Sequence, residues 1–322
     1  MKKISFIIPM YNAGSYIGDC INSILSQNLA KEDFEIIVVD DGSVDKGKDV
    51  VLSFDNIKYF YQENKGQAAA RNVGLTKAEG EYIWFVDADD MLVPNSIDLV
   101  LYKAIEYDLE MVTFNVVSKE EQVVNGDSLS EIITGVQYLE RNNYPNGPCW
   151  YIVKRKCLDE LRFVEGRYVE DAMFTMELLI RVKSIAHIDR CCYFYVIHEG
   201  STQTRKDEPH MKKMIADYLF AFHHMQGLIK RYRSSLSDKA VTRCEQRSES
   251  FLFFLLVRLL RFVSGRTFIK ETISTMRAEG AYPIKRLNKE DYPGFKFVLI
   301  HFIVNHPLLL ICANRICRLL RK

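Results

Sequence analysis

Three carboxylates occupy four positions where an apolar run of the sequence ends. Residues 82–86 (YIWFV) are typical of a strand buried on both faces, and Asp87, Asp89 and Asp90 follow directly. Carboxylates crowded at the end of a buried strand repel one another unless a positive charge lies beside them. Mg²⁺ or Mn²⁺ is commonly held by one or two carboxylates together with substrate phosphates. The triplet therefore indicates a divalent-cation site, with a solvated acidic turn before the next helix as the alternative.

The elements that must position these carboxylates alternate between strand and helix through the first 116 residues. This alternation predicts the α/β class, with a mostly parallel sheet flanked by helices. Ligands of such sheets bind beyond the carboxyl ends of the strands. Three polar segments follow predicted strands and should meet at one sheet edge: 9–12 (PMYN), 40–43 (DDGS) and 87–90 (DADD).

Composition excludes several classes of protein. The 322 residues carry a net charge of only +1, which gives no case for nucleic acid as a partner. The amino-terminal MKKISFIIPMYN is too short for a signal-peptide core, so we expect a strand there and a cytoplasmic catalytic part. The eight cysteines form no C-x-x-C pair, and we expect buried free thiols rather than a zinc site.

Two alternative enzyme classes fit the first turn poorly. A dinucleotide-binding dehydrogenase needs G-x-G-x-x-G after the first strand, whereas MYNAGSYIG places Gly14 and Gly18 at another spacing. A nucleotidyltransferase also combines an α/β sheet with metal-binding aspartates. It normally has a glycine-rich basic loop after the first strand, and MYNAGSY has no basic residue. A non-catalytic glycan-binding relative of an enzyme is the third alternative.

Four motifs, in this order and spacing, resemble the family 2 glycosyltransferases: FIIPMYNAGSYIGDCINSILSQ, IIVVDDGSVD, NKGQAAARNVGL and YIWFVDADD. The resemblance covers about residues 3–200. It implies an inverting, metal-assisted enzyme of GT-A fold that uses a nucleotide-diphosphate sugar, most commonly a UDP-sugar, with Mg²⁺ or Mn²⁺. The acceptor would be a hydroxyl of a glycan or a lipid-linked glycan in cell-surface polysaccharide synthesis.

The resemblance also implies roles for single residues on the donor side. Asp41 would contact the nucleotide base, Asp87 would lie beside the sugar and ribose, and Asp89 would be the principal metal ligand. His198 would be the second metal residue. It stands where many members carry arginine on a loop that closes over the diphosphate, and Arg205 is the alternative cation. Asp90 is expected to cap the following helix. The full set of implied donor contacts is Pro9, Tyr11, Asp41, Arg71, Asp87 and Ala88.

Acceptor residues are predicted in the second half of the catalytic domain. Glu170 and Asp171 stand in the first turn of a predicted helix, where the helix dipole alone would favour carboxylates. The resemblance implies that Asp171 is the general base, with Glu170 beside it in acceptor binding. Trp150 either packs in the core or lines the acceptor cleft, and the resemblance favours the cleft. A connecting helix is predicted over about 129–139.

The predicted domains are a catalytic domain at 1–206, with a nucleotide-sugar half at 1–116 and an acceptor half at 117–206, and a helical region at 207–322. Apolar stretches at 251–262 and 295–313 are interrupted by charged residues or proline. A membrane-spanning helix needs about 20 predominantly apolar residues. We therefore expect helices that lie on the inner-membrane surface, with a buried helical bundle as the alternative.

Overall fold

A computed structural model describes residues 2–144, 147–198, 207–263, 265–288 and 290–319. Contacts divide the chain into two compact units, Met1–Tyr138 with Tyr144–His198 and Leu139–Asn143 with Glu199–Lys322. The domain boundary predicted at residue 206 lies outside the described residues and stays a prediction.

The first unit is built on one sheet. Its described strands are β1 Ile4–Met10, β2 Phe34–Asp40, β3 Ile57–Tyr61, β4 Tyr82–Phe85, β5 Met91–Leu92, β6 Met111–Val117, β7 Asn125–Leu129, β8 Tyr151–Lys154 and β9 Ile185–Phe194. Their order is β3-β2-β1-β4-β8-β6-β9-β5, with β7 paired to β9. The helices that accompany these strands are α1 Ile17–Leu25, α2 Gly47–Leu52, α3 Gln67–Lys77, α4 Ile97–Glu106, α5 Gly135–Arg141 and α6 Glu170–Arg181.

The first four strands are all parallel. β1 lies between β2 and β4, and the pairing of Met10 with Asp40 brings the carboxyl ends of β1 and β2 to one edge. This confirms the predicted parallel arrangement in the donor half. Beyond β4 the sheet is mixed, because β8 runs antiparallel to both β4 and β6 while β6 and β9 are parallel.

Burial explains why these sequences form inner strands. Every residue of β1, β2 and β4 is buried, including Trp84, whose ring packs against Phe6 and Phe114. Helix α3 covers β1 closely, and a Cβ on Gly74 would lie 2.3 Å from Cγ2 of Ile7. The alanine-rich composition of α3 therefore reflects close helix-to-sheet packing.

The connecting helix predicted at 129–139 is wrong over most of its length. Residues Asn125–Leu129 form β7, antiparallel to β9, and α5 begins only at Gly135. The sequence NGDSL has no apolar alternation, because β7 is an exposed edge strand held mainly by pairing with β9.

The second unit is helical, as predicted for the carboxyl-terminal region. Its described helices are α7 Glu208–Arg231, α8 Asp238–Phe262, α9 Arg266–Ala278, α10 Phe295–Val304 and α11 Pro307–Leu319. The apolar stretch at 251–262 forms the end of α8, and most of its large side chains are buried. Among the described helices, none alone has the length and composition of a membrane span. Phe295–Val304 and Pro307–Cys317 pass that test only as a pair bent by 113°.

Candidate active site

Asp41 follows β2 and holds the loop that leads into α3. Its carboxylate accepts hydrogen bonds from Nε2 of Gln62 at 2.6 Å, the backbone N–H of Lys65 at 2.8 Å and that of Gly66 at 2.8 Å. Gly66 adopts a φ of 92°, which glycine reaches without strain. Three of about four acceptor positions of the carboxylate are thus used within the chain. The predicted contact between Asp41 and the base stays a prediction.

We expect Asp41→Asn to lower the free energy of unfolding by about 1–3 kcal/mol, because the new NH₂ group takes away the acceptor of a partly buried loop amide. Nucleotide affinity should fall as well, since the 62–66 loop borders the carboxyl ends of the strands. Chemical denaturation and UDP titration measure the two effects. Asp55→Asn, at an exposed position, is the matched control. Unchanged stability in Asp41→Asn would contradict the assigned role of the carboxylate.

Arg71 joins Asp87, a predicted donor contact, to Glu170, a predicted acceptor contact. Its side chain is 2% exposed, Nη2 donates to Oδ1 of Asp87 at 2.8 Å, and Nη1 donates to Oε1 of Glu170 at 3.1 Å. Burial alone would lower the pKa of the guanidinium, but the two carboxylates outweigh that effect and raise it. Gln67 also donates to Asp87, at 3.2 Å. Arg71 is therefore a buried cation with two carboxylate partners, not an arginine on the exposed surface of α3.

The residue after Arg71 fixes the segment that carries the acceptor carboxylates. The amide group of Asn72 donates to the backbone oxygen of Phe163 at 3.0 Å and to Oε1 of Glu165 at 2.9 Å. Its Oδ1 accepts from the backbone N–H of Phe163 at 2.9 Å. The Phe163 ring stacks on Phe174 with centroids 3.8 Å apart. Helix α3 thus holds the segment that leads to α6 through Asn72, and the first residue of α6, Glu170, through Arg71.

Glu170 and Asp171 begin helix α6 after a strained residue. Val169 has a φ of 60°, a left-handed conformation that is unfavourable for a β-branched side chain and costs about 1–3 kcal/mol. Burial and the neighbouring Glu170 raise the pKa of Asp171 to about 7. Burial also raises the pKa of Glu170, with Arg71 opposing the shift. A carboxyl with a pKa near 7 is suited to accept a proton at neutral pH.

Asp89 and His198 face each other at the other side of the carboxylate cluster. Oδ2 of Asp89 lies 2.8 Å from Nε2 of His198, and the imidazole packs against Tyr16 with ring centroids 4.6 Å apart. Both side chains are partly exposed. Within the described residues, no group of three or more histidine, cysteine or acidic side chains is arranged as a metal site. Two protein ligands fit a cation whose other ligands are phosphate oxygens and water.

Asp90 does not cap the following helix, so that prediction is wrong. Its carboxylate accepts from the hydroxyl of Tyr193 at 2.7 Å and from the backbone N–H of Val196 at 2.8 Å, whereas α4 begins only at Ile97. Burial and the charge of Asp87 raise the pKa of Asp90 to about 7. Asp90 therefore anchors the segment that follows β9, which leads to His198.

Four further predicted residues, Pro9, Tyr11, Ala88 and Trp150, lie in the first unit. Pro9 is buried near the end of β1, and Tyr11 is 54% exposed just beyond it. Ala88 is buried between Asp87 and Asp89. Trp150 is partly buried against the apolar core, which leaves both of its predicted roles open. Arg205 lies outside the described residues.

Two tyrosines near the site were not predicted. The hydroxyl of Tyr193 accepts from the backbone N–H of Asp87 at 3.2 Å and donates to Asp90, so it connects two of the three aspartates. Tyr193 stands in an apolar strand sequence that carries no sign of this contact. Tyr16 precedes α1 at a position that helical spacing assigns to ordinary packing.

Comparisons with known proteins identify the family. Residues 5–160 match the family described as Glycosyl transferase family 2. The glycosyltransferase GlyA of Streptococcus pneumoniae serotype 4 is 29% identical over 62% of this chain, although the match spans only 31% of GlyA. The glycosyltransferase GlyG of the same organism is 30% identical over 62% of this chain and 72% of GlyG. The chain belongs to glycosyltransferase family 2.

Similarity to a solved structure supports the GT-A fold for this chain. S. aureus TarS residues 1–349 in complex with UDP-GlcNAc superposes with a TM-score of 0.57 at 21% identity, covering 94% of this chain and 90% of that one. The predicted family, α/β class and GT-A fold are thereby confirmed.

Proposed function

We propose that this glycosyltransferase inverts the anomeric centre of a UDP-sugar, transferring a hexosyl or N-acetylhexosaminyl group to a hydroxyl of a glycan or lipid-linked acceptor. The observation that supports the proposal is the array in which the buried Arg71 joins Asp87, on the donor side, to Glu170, the neighbour of the candidate base Asp171. The UDP-GlcNAc bound by TarS supports a uridine nucleotide as the donor. We further propose a role in cell-surface polysaccharide synthesis.

The proposed chemistry divides between the two sides of the site. Asp171 takes the proton of the acceptor hydroxyl while that oxygen attacks the anomeric carbon, and the bond from that carbon to the diphosphate breaks. One oxygen–carbon bond forms as the other breaks, and UDP leaves with the bonding electron pair. Arg71 holds Glu170 and Asp87 in place, so that the acceptor and the sugar meet in line.

Asp89 and His198 are the residues we propose to hold Mg²⁺ or Mn²⁺. A bound cation would neutralise the charge that develops on the leaving diphosphate. We expect chelation by EDTA to reduce transfer by about a hundredfold or more. Asp89→Asn should remove most of the gain in UDP affinity that Mn²⁺ provides, measured by calorimetry with and without the ion. A Mn²⁺ effect of the same size in the variant would contradict the assignment.

A screen of nucleotide sugars, with Mn²⁺ present and absent, tests the proposed function. We expect one UDP-sugar to bind and to be hydrolysed slowly in the absence of acceptor. The product of transfer to an added glycan should carry the inverted anomeric configuration, which NMR can establish. Failure of every nucleotide sugar to bind or turn over would refute the proposal.

We also propose that the enzyme works on the cytoplasmic side of the membrane, as a peripheral protein. The charge and composition of the carboxyl-terminal region support this location. Cell fractionation with a salt wash provides the test, because a peripheral protein held partly by charge is released as salt rises.

A further inference from the structure

The last two helices expose their apolar side chains at helical spacing. On α10 the exposed residues are Phe295, Val298, Leu299 and Phe302, and on α11 they include Leu308, Leu309, Ile316 and Leu319. Phe295 is 79% exposed and Leu308 is 74% exposed. Single exposed apolar residues are ordinary, but residues that recur at helical spacing line up along each helix and mark an interaction surface. We call these eight side chains the apolar face.

This face belongs to helices that are firmly attached to the second unit. Val304 and Leu310 are fully buried. Nδ2 of Asn314 donates to the backbone oxygens of Leu259, Leu260 and Val263 at 2.9–3.1 Å, which satisfies carbonyl groups at the end of α8. The opposite sides of α10 and α11 therefore already have their partners, and the exposed side is the one left for another surface.

The segment that carries the apolar face has charged residues of one sign only. Residues 295–322 contain no Asp or Glu, although the whole chain carries 42 acidic residues. The same segment contains five basic residues: Lys296, Arg315, Arg318, Arg321 and Lys322. Apolar side chains accompanied by basic residues match the interface of an anionic lipid bilayer. A symmetric dimer through this face would instead bring two sets of positive charge together.

We propose that the apolar face inserts into the surface of an anionic bilayer, with α10 and α11 as a bent wedge. The bend of 113° at Asn305–His306 prevents the pair from crossing the membrane as one straight helix. The apolar face would be the surface responsible for the peripheral location proposed above, on which this inference rests. The inference does not depend on which sugar is transferred.

The test is co-sedimentation of the full chain with phosphatidylcholine vesicles, with and without phosphatidylglycerol. We expect binding to increase when phosphatidylglycerol is present. The double variant Phe295→Asp with Leu308→Asp should bind at least about tenfold more weakly, since each side chain loses its transfer into lipid. Lys296→Glu with Arg315→Glu should lose mainly the phosphatidylglycerol-dependent part, because each basic residue contributes through the surface charge.

Controls separate this surface from the catalytic site. Leu52→Asp, at an exposed leucine of α2 in the first unit, should leave vesicle binding unchanged. All variants should retain UDP-sugar binding, so that loss of vesicle binding and failure of the proposed reaction are distinguishable. Equal vesicle binding by Phe295→Asp with Leu308→Asp would overturn the proposal. The proposal would also be overturned if the protein bound no vesicles and sedimentation velocity showed a wild-type dimer that the double variant abolished.

Discussion

Asp171→Asn is expected to lower the rate of sugar transfer by about a hundredfold to ten-thousandfold, the usual contribution of a general base. Donor binding should stay nearly intact, because the proposed role of Asp171 is toward the acceptor rather than the nucleotide. The asparagine can still accept from the backbone N–H of Ala172, which lies 2.7 Å from Oδ1 in the wild type. Transfer is measured with acceptor present, and UDP affinity by calorimetry.

The pH dependence of the wild type provides a second readout. The pKa of Asp171 is raised to about 7, so the carboxylate that can accept a proton is lost as pH falls through that value. The transfer rate should therefore rise with pH around 7, and the residual rate of Asp171→Asn should lack this rise. Asp127→Asn, at an exposed position of β7, is the matched control. Loss of UDP binding in Asp171→Asn would show that its role is misassigned.

Arg71→Met is expected to lower the free energy of unfolding by about 3–5 kcal/mol, because it leaves buried carboxylates without their cation. Transfer should be lost as well, since Asp87 and Glu170 would then repel each other. Both tryptophans of the chain lie in the first unit, so their fluorescence during denaturation reports the unfolding of that unit. The loss should be smaller at low pH, where Glu170 is protonated.

A double variant tests whether charge is the cause of that loss. Glu170→Gln in the Arg71→Met background should recover part of the stability, because it removes one uncompensated charge. Lys103→Met breaks an exposed ion pair with Glu106, at 3.6 Å, and should cost less than about 1 kcal/mol. If Arg71→Met lowered the free energy of unfolding by as little as Lys103→Met, the ion pairs of Arg71 would not be what holds the site together.

The donor half of the fold could be predicted because its signals are local. Apolar runs predict the strands at 4–9, 34–39 and 57–61, and the structure has them at Ile4–Met10, Phe34–Asp40 and Ile57–Tyr61. β7 could not be predicted, since its polar sequence becomes a strand only through pairing with β9. The two-residue β5 likewise depends on β9.

In the site, too, some features follow from local sequence patterns, whereas others depend on residues that are far apart in the sequence. Strand ends bring Asp41 near Asp87 by topology alone, so their proximity follows from the alternating pattern. The contact between Arg71 and Glu170 joins residues 99 positions apart, and only the folded structure reveals it. The left-handed Val169 and the Tyr193 hydroxyl also lack a sequence signal, because their roles arise from neighbours in space.

The position of β4 has a consequence for the order of events during synthesis. The ladder β3-β2-β1-β4 is complete once Phe85 has emerged, but the other edge of β4 gains its partner only with β8, through Tyr82 opposite Lys154 and Ile83 opposite Val153. Until then a nascent chain carries a fully apolar strand with an open edge, the kind of edge that pairs with other chains. We therefore expect the chain to be most prone to aggregation while residues 86–154 are being translated.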